Sequence, residues 1–562
     1  MEKGSSSTPS SAANTSEPAA AAATTAVPMT NFQLFGSMVP VPVASMATAT
    51  APAAVAAADN GGHGSSSASQ NASGSAQGQG GNMSLSLQLR PLGSTPAPAV
   101  LVPPMAAAPM MTGPAGAAAP APLATMAVAE NASLAAVATA LAAHRRNQAT
   151  HRSAALHGHL RRCAEALVAS RSVDADAELA SIARLASADG DAVQRVAAAF
   201  AEALAQLVIR SWRGVSAALF PSDAGGDALS AWEAEFARQS FLNLCPLLHL
   251  AAVAVNEIIL ETTRNDKFIH IIDLGGVHHA HWVELLQALG TRRVIRPCLR
   301  LTVVHEHKHL LSQAAQILVT ESERHGVPLD LHIVESSVEA LKLDALGVRS
   351  DHAVVIVSTL QLHRLVGTGI LNTATGQRIT PTPAVGIASP LPPVTMSSKL
   401  DRLLRGFHLL SPKIIILTEN EANHFVPSFM DRFASALSHY QQLFSSMEEV
   451  SLAPAFGQPA ERKAVEKYLL KEEIKDIIAC DHDGPRWARH EPLGRWIVRM
   501  GAAGFMLSPA ITVVTAAGRV RAVAARLPGG GDERYGVTEG SGWLILNREE
   551  KPMFCVSAWR RQ

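Results

Sequence analysis

The stretch "IHIIDLGGVHHAHW", residues 269–282, sets an acid, a glycine pair and four histidines behind an apolar run. Two kinds of chemistry could use it. A dinucleotide or S-adenosylmethionine site needs a glycine-rich turn after a buried strand, so that backbone can approach the ligand, and an acid at the end of the next strand for ribose hydroxyls. Asp273, Gly275 and Gly276 supply the first part, and Glu306, which ends the run "LRLTVVHE", supplies the second. Where a third glycine is wanted stand Val277, His278 and His279, side chains that crowd such a turn. The favoured reading is a structural turn and no cofactor, with Asp273, Gly275, Gly276 and Glu306 as the residues to test for one.

The alternative chemistry is zinc. His278, His279 and His281 could gather round an ion, and "HEHKH" (305–309) has the letters of the H-E-x-x-H metalloprotease pair. That pair works on a helix, where positions i and i+4 share a face. Here it closes an apolar, strand-like run, with no third ligand evident downstream, so structural or solvent-facing histidines are expected instead. The chain has no G-x-S-x-G elbow and no G-x-x-x-x-G-K-[ST] loop, the turns that expose a nucleophile or cradle phosphates. The expectation is a protein that is not an enzyme.

These residues need elements to hold them. "KFIHIIDLGG" reads as a buried strand, "AHWVELLQALG" as a helix and "CLRLTVVHEH" as a second strand. "LSQAAQILVTESERHG" is helical, and "LDLHIVES", "HAVVIVSTLQLH" and "SPKIIILTENE" are three further strands. Buried strands separated by helices of this length predict a parallel, doubly wound, Rossmann-like α/β sheet. Upstream, leucine, alanine and valine recur at helical spacing, broken at "SRSVDAD" and "SADGD". That pattern predicts two or three amphipathic helices. Residues 241–262 add a nearly all-apolar helix or pair of helices with Pro246 at a start. At the other end, runs at 542–546 and 553–559 predict a C-terminal β-hairpin.

Composition bounds the rest. Basic and acidic residues number 47 each, so no global field draws the chain to nucleic acid or to an anionic membrane. The basic clusters are "HRRNQATHR" and "RRVIRPCLR", the latter offering Arg292, Arg293, Arg296 and Arg300 to DNA. Five scattered cysteines never form a C-x-x-C pair, which suits a reducing compartment. The apolar region 99–129 is broken by Pro and Gly, the N-terminus has no hydrophobic signal core, and the first arginine is Arg90. The expectation is therefore no membrane association and a cytosolic or nuclear protein. Residues 1–130, rich in Ala, Ser, Pro, Gly and Thr, hold too little large apolar surface to offset ordering entropy and are expected to be disordered. Within them "SLSLQLR" places Leu85, Leu87 and Leu89 in strict alternation, a strand-like face that could enter a partner's groove.

The order of these blocks resembles the plant GRAS family of transcriptional regulators. An apolar helical region is followed by "IHIID", "LQLH", "SPKIIILTENEANHF" with "RFASALSHYQQLFSSMEE", then "EEIKDIIACDHDGPRWARHEPLGRW" and a terminal "VSAWR". The resemblance covers about residues 155–560, and "EALAQLVIRSWRGVSAAL", "VEKYLLKEEIKDIIAC" and "CVSAWR" are most similar to the scarecrow-like three branch. It implies a methyltransferase-like Rossmann core under a helical cap, with a GRAS domain over 131–562, the cap mainly in 131–262 and the α/β core in 263–562. It implies a nuclear, non-enzymatic platform, in gibberellin signalling and development, for zinc-finger-type DNA-binding factors and other GRAS proteins, as homo- or heterodimer. The alternating leucines resemble the plant motif that recruits co-repressors.

Under that resemblance, His270, Asp273 and Trp282 are expected to fix the first strand end. A pair Arg489 and Glu491, with Trp496 and Trp559, is expected to tie the tail to the core. Three departures stand out: Ile269 where the family motif opens with Val, Ala488 where "RWARHE" lacks the family's acid, and Val303 where the second strand often carries glycine. Residues 371–398 read as an inserted loop. Two other readings stay open: a direct DNA binder through the arginine clusters, and a small-molecule transferase or receptor using Asp273, Gly275 and Glu306.

Overall fold

A computed structural model describes residues 123–562, apart from 213, 216–217, 219–229, 277, 368–369, 372–377, 380–397, 453–458, 481–485, 510 and 528–533. Leu85, Leu87 and Leu89, and most of the inserted loop, lie outside the described residues. Among the described residues, helices precede the first strand; the first of them are α1 (Leu123–Val168), α2 (Ser172–Leu185), α3 (Ala192–Ser211) and α4 (Ala231–Leu244). Local chemistry sets their starts. Asp191 caps α3 and Ser230 caps α4, each in a reciprocal capping box with the side chain three residues on, which satisfies two orphan N–H groups at each end. α1 begins inside the stretch 1–130 expected to be disordered; its alanine-rich opening has the highest intrinsic helix propensity available, which outweighs the lack of large apolar side chains there.

Pro246 takes the first helical position of α5 (Pro246–Thr262), and the chain bends by 79° between α4 and α5. α3 is long and apolar enough by composition to cross a membrane. Yet its Arg195 is buried in ion pairs with Glu448 and Glu466, and its apolar face packs among α1, α2, α9 (Phe429–Leu452) and α11 (Lys471–Ala479), so it is a core helix.

The sheet follows the predicted runs. β1 (Phe268–Asp273), α6 (His279–Gly290), β2 (Cys298–His305), α7 (Ser312–His325), β3 (Leu329–Glu335), β4 (Ala353–Thr359), α8 (Ser398–Leu409) and β5 (Ile414–Asn420) form a doubly wound unit. Its five strands are parallel in the order β3-β2-β1-β4-β5. After α9, α10 (Pro459–Val465), α11 and α12 (Leu493–Ala502) come β6 (Phe505–Leu507), α13 (Ile511–Ala524), β7 (Tyr535–Gly540), β8 (Trp543–Arg548) and β9 (Lys551–Arg561). The C-terminal hairpin β8–β9 is not a separate tail. β9 inserts antiparallel beside β5, β8 and β7 continue the sheet outward, and β6 pairs with the end of β9.

Alternation along the strands splits the interior between two faces. Ile269, Ile271, Leu301, Val303, Val357 and Ile416 point to the face covered by α5, α6 and α9, while Ile272, Val304, Ile356, Ile415 and Leu417 point to the face covered by α8 and α12. α5, within the stretch expected as cap, packs against β5, β8, β9 and α13, so this part of the cap sequence is a layer on the sheet.

Candidate functional site

The carboxyl ends of β1, β2, β4 and β5 form the edge where doubly wound sheets place ligands. At β1, the Asp273 carboxylate accepts the Gly275 N–H at 2.8 Å and the Trp282 indole N–H at 2.9 Å. The strand end, the turn and helix α6 are thereby tied through one side chain. Burial pushes the Asp273 carboxyl up to about 6, against the opposing pull of those two hydrogen bonds and of Arg238. His270, on the other face of the strand, shares a 2.8 Å hydrogen bond with Thr302 of β2 and is fully buried; burial, then the Arg300 charge, lowers it to about 4, so it is neutral.

The mouth is filled by the chain itself. Arg238 of α4 makes a two-pronged ion pair with Glu235 at 2.7 and 2.9 Å, Gln239 donates to the same carboxylate at 2.8 Å, and His305 at the end of β2 meets it at 3.2 Å. Burial disfavours charge on Glu235, but the Arg238 charge and hydrogen bonds from His305, Arg238 and Gln239 outweigh it and hold the carboxyl well below its usual range. Gly276 adopts φ of +70°, and a Cβ there would stand 2.9 Å from the His305 ring and 3.1 Å from the Arg238 guanidinium. Its glycine is therefore required for the protein's own side chains to close in, where a nucleotide loop would use it to admit pyrophosphate.

What remains between Arg238, Asp273, Gly275, Gly276, His278 and Trp282 is a cavity of about 20 Å³, room for about one water. Glu306 is exposed and does not line it. His278 bonds Asn243 at 3.0 Å, and His281 stacks on Trp282 at 4.2 Å while its backbone carbonyl accepts from Asn256. Burial keeps both imidazoles uncharged, His281 down to about 3. The "HEHKH" letters straddle the end of β2 and a short 3₁₀ turn at Lys308–Leu311, so its two outer histidines do not share a helical face. No group of three or more His, Cys, Asp or Glu among the described residues could hold a metal ion.

The tail residues require a correction. Glu491 binds Arg499 at 2.6 and 3.0 Å and lies 3.9 Å from Arg495. Arg489 instead reaches the Val366 carbonyl and lies over the Phe425 ring. The arginines at i+4 and i+8 from Glu491 lie on the helix that follows Pro492, which brings them within reach of its carboxylate. Trp496 and Trp559 are buried in the second core face, and Trp559 donates to Ser557 at 2.9 Å. Ala488 is fully buried, its N–H donating to Asp476 at 2.8 Å, and Val303 is fully buried within β2. Of the DNA candidates, Arg292 donates to the Leu260 and Thr263 carbonyls and Arg300 pairs with Asp330 at 2.6 Å, while Arg293 and Arg296 are exposed. Sequence reading missed Glu235 and Arg238. Their only signal was an ion-pair spacing on an amphipathic helix, common to many solvated faces.

The decisive comparison is with the GRAS domain family, which matches residues 156–560. The chain belongs to this family. Scarecrow-like protein 3 of Arabidopsis thaliana is 31% identical over 393 residues, covering 64% of this chain and 79% of that protein. The DELLA protein GAI1 of Vitis vinifera is 30% identical, covering 57% and 49%. The crystal structure of SCL7 from Oryza sativa shares 28% identity at a TM-score of 0.55, over 72% of this chain and 99% of that one. With scarecrow-like and DELLA proteins among its relatives, this GRAS chain sits in a family of plant transcriptional regulators that act in development and gibberellin signalling.

Proposed function

We propose that this GRAS protein is a nuclear, non-enzymatic co-regulator: a folded platform that binds DNA-binding transcription factors of the zinc-finger type and other GRAS proteins. One observation carries the reading. The edge of the sheet that would hold a nucleotide or S-adenosylmethionine is occupied by Arg238, Glu235 and His305, leaving about 20 Å³, whereas a small-molecule site takes about 300–1,000 Å³. Asp273, Gly275 and Gly276 thus serve the turn, and His270, Trp282, Glu491, Trp496 and Trp559 serve the framework. The outer helices carry the kind of surface a partner uses: Val137 and Leu141 on α1 are 63% and 47% exposed, and Trp232 on α4 is 51% exposed and stacked on Phe236 at 5.2 Å. Leu85, Leu87 and Leu89 in the N-terminal region supply the co-repressor contact, and contact with DNA runs through the partner.

Differential scanning of the full chain with S-adenosylmethionine and nicotinamide dinucleotides at millimolar concentration tests the first half. A ligand at 100 times its dissociation constant adds about 2.7 kcal/mol, so a saturable rise in Tm overturns the platform reading and an unchanged Tm supports it. Co-precipitation of zinc-finger factors and a co-repressor with the full chain, against the triple change Leu85→Ala, Leu87→Ala and Leu89→Ala, tests the second: loss of the co-repressor alone is expected.

A further inference from the structure

Residues 486–493, "RWARHEPL", cross the carboxyl ends of β4 and β5 as irregular backbone, yet all but Trp487 and Pro492 are buried. Such a strap must find hydrogen-bond partners away from any ladder. Asp476 of α11 accepts the Trp487 and Ala488 N–H groups at 3.0 and 2.8 Å, the His490 carbonyl accepts the His424 N–H at 3.0 Å, and Glu421 accepts the Leu493 N–H at 2.9 Å.

Under the strap lie four histidines from four separate segments: His363 after β4, His424 after β5, His439 of α9 and His490 of the strap itself. None is more than 5% exposed. The Nδ1 atoms of His424 and His490 are 2.8 Å apart, and ring centroids lie 4.4 Å apart for His363 and His490 and 5.4 Å for His424 and His439. The His424–His490 contact requires one nitrogen to donate and the other to accept, which holds only while at least one ring is neutral. We propose that His424, His439 and His490, packed beside the His363–Glu419 pair, form an acid-released latch: uncharged they let the strap lie buried on the sheet, and protonation holds it off, baring the ends of β4 and β5.

The surrounding charges favour release on acidification. Guanidinium groups of Arg364, Arg432, Arg486 and Arg489 flank the cluster. Glu419 of β5 is the carboxylate in direct contact with the cluster, 2.9 Å from Nδ1 of His363; one carboxylate cannot balance protonation of the other three rings. Burial first, then the neighbouring histidines, puts His424 and His490 well below the ordinary imidazole value, and burial takes His439 to about 4. With folded values depressed below about 6.5, this stability is present above pH 6.5 and is lost as pH falls toward 4. Glu421, Glu473 and Asp476 are raised by burial and work in the opposite sense at lower pH. Tyr440, which donates to Glu473 at 2.8 Å, and Cys555 are pushed upward by burial and stay neutral throughout.

Hydrogen exchange of the full chain at pH 7.5 and 5.5, corrected for intrinsic exchange rates, reads the latch directly. One histidine moving from about 6.5 to about 4 changes an opening equilibrium about tenfold over that interval. Peptides covering 486–493 and 362–366 should lose at least tenfold protection, while β1 and β2 hold theirs to within about threefold. In the double variant His424→Gln, His490→Gln the acid loss should shrink to that of the remaining histidines. If that variant does not fold, imidazole proton resonances of the wild type, assigned through the single changes His424→Gln, His439→Gln and His490→Gln, give the same answer: those three histidines should not titrate above pH 5. Equal protection at both pH values, an undiminished acid effect in a folded variant, or titration of His424, His439 or His490 above pH 5 overturns the latch.

Discussion

At Asp273 a single carboxylate serves as the hub of the first turn, and its burial gives it a measurable signature. An acid raised to about 6 in the folded protein, against about 3.9 unfolded, favours the native state while protonated in both and loses that advantage as pH rises from about 4 to 6. Between pH 5 and 7.5 this costs about 1.4 kcal/mol. Asp273→Asn abolishes the titration, so the stability of wild type relative to the variant, from urea unfolding, should fall by about 1.4 kcal/mol over that interval. A difference constant with pH would mean that Asp273 is not buried as described. Arg238→Ala is the complementary change. It leaves Glu235 in the mouth with only Gln239 and His305 as partners, and the ion pair's side chains are 21% and 12% exposed. The loss should be about 3 kcal/mol, the lower end for breaking a buried pair, read as a reduced denaturation midpoint at constant slope. The Asp-Leu-Gly-Gly turn was legible in sequence because strand-end acid and glycines are local. The plug was not, since Arg238 and Glu235 meet His305 from about seventy residues away and that proximity follows from how α4 lies across the sheet.

At the scale of elements, apolar runs exposed β1, β4 and β5 because strands buried on both faces carry near-continuous Val, Ile and Leu, while β2 and the edge strand β3 were legible by partial alternation. β6 and β7 escaped notice. "FML" is three residues long and "YGVTEG" mixes Gly, Thr and Glu, so neither carries the run of β-branched or aromatic residues that marks a strand. The place of the C-terminal hairpin was likewise hidden, because alternation within β8 and β9 says that one face is buried but not against which strand. The structure puts β9 between β5 and β8, where it carries the outer half of the sheet. Deleting 551–562 should therefore unpair β5 along six residues of register and cut the β7–β8 pair off from the rest of the sheet; loss of cooperative unfolding by circular dichroism is the expected result. Trp559→Ala is a milder version, removing a 1% exposed side chain. Its expected cost is about 3 to 5 kcal/mol, and a loss under about 1 kcal/mol would show that β9 is not anchored by this residue.

Taken whole, the molecule has no net charge, so any contact with DNA would rest on where its arginines lie. The loop 292–300 looked in sequence like a basic cluster, but folding directs Arg292 into the carboxyl end of α5 and Arg300 onto Asp330, where each meets an intramolecular acceptor. In this loop Arg293 and Arg296 are left to meet phosphate, and Arg145 and Arg146 of the other cluster are exposed on α1. Each phosphate neutralised on duplex DNA contributes about −0.9 to the slope of log K against log salt, so these four arginines would give a slope no steeper than about −4. Non-specific binders making 6 to 10 phosphate contacts lose about 10³ to 10⁵ in affinity between 50 and 200 mM salt. Fluorescence anisotropy of the full chain on labelled duplex across that range checks the point. The expected outcome is binding that is weak at 50 mM, shallow in salt and reduced by Arg293→Ala with Arg296→Ala. A slope steeper than about −5 that survives the double change would place a continuous basic face elsewhere on the protein and would favour direct DNA recognition over recognition through a partner.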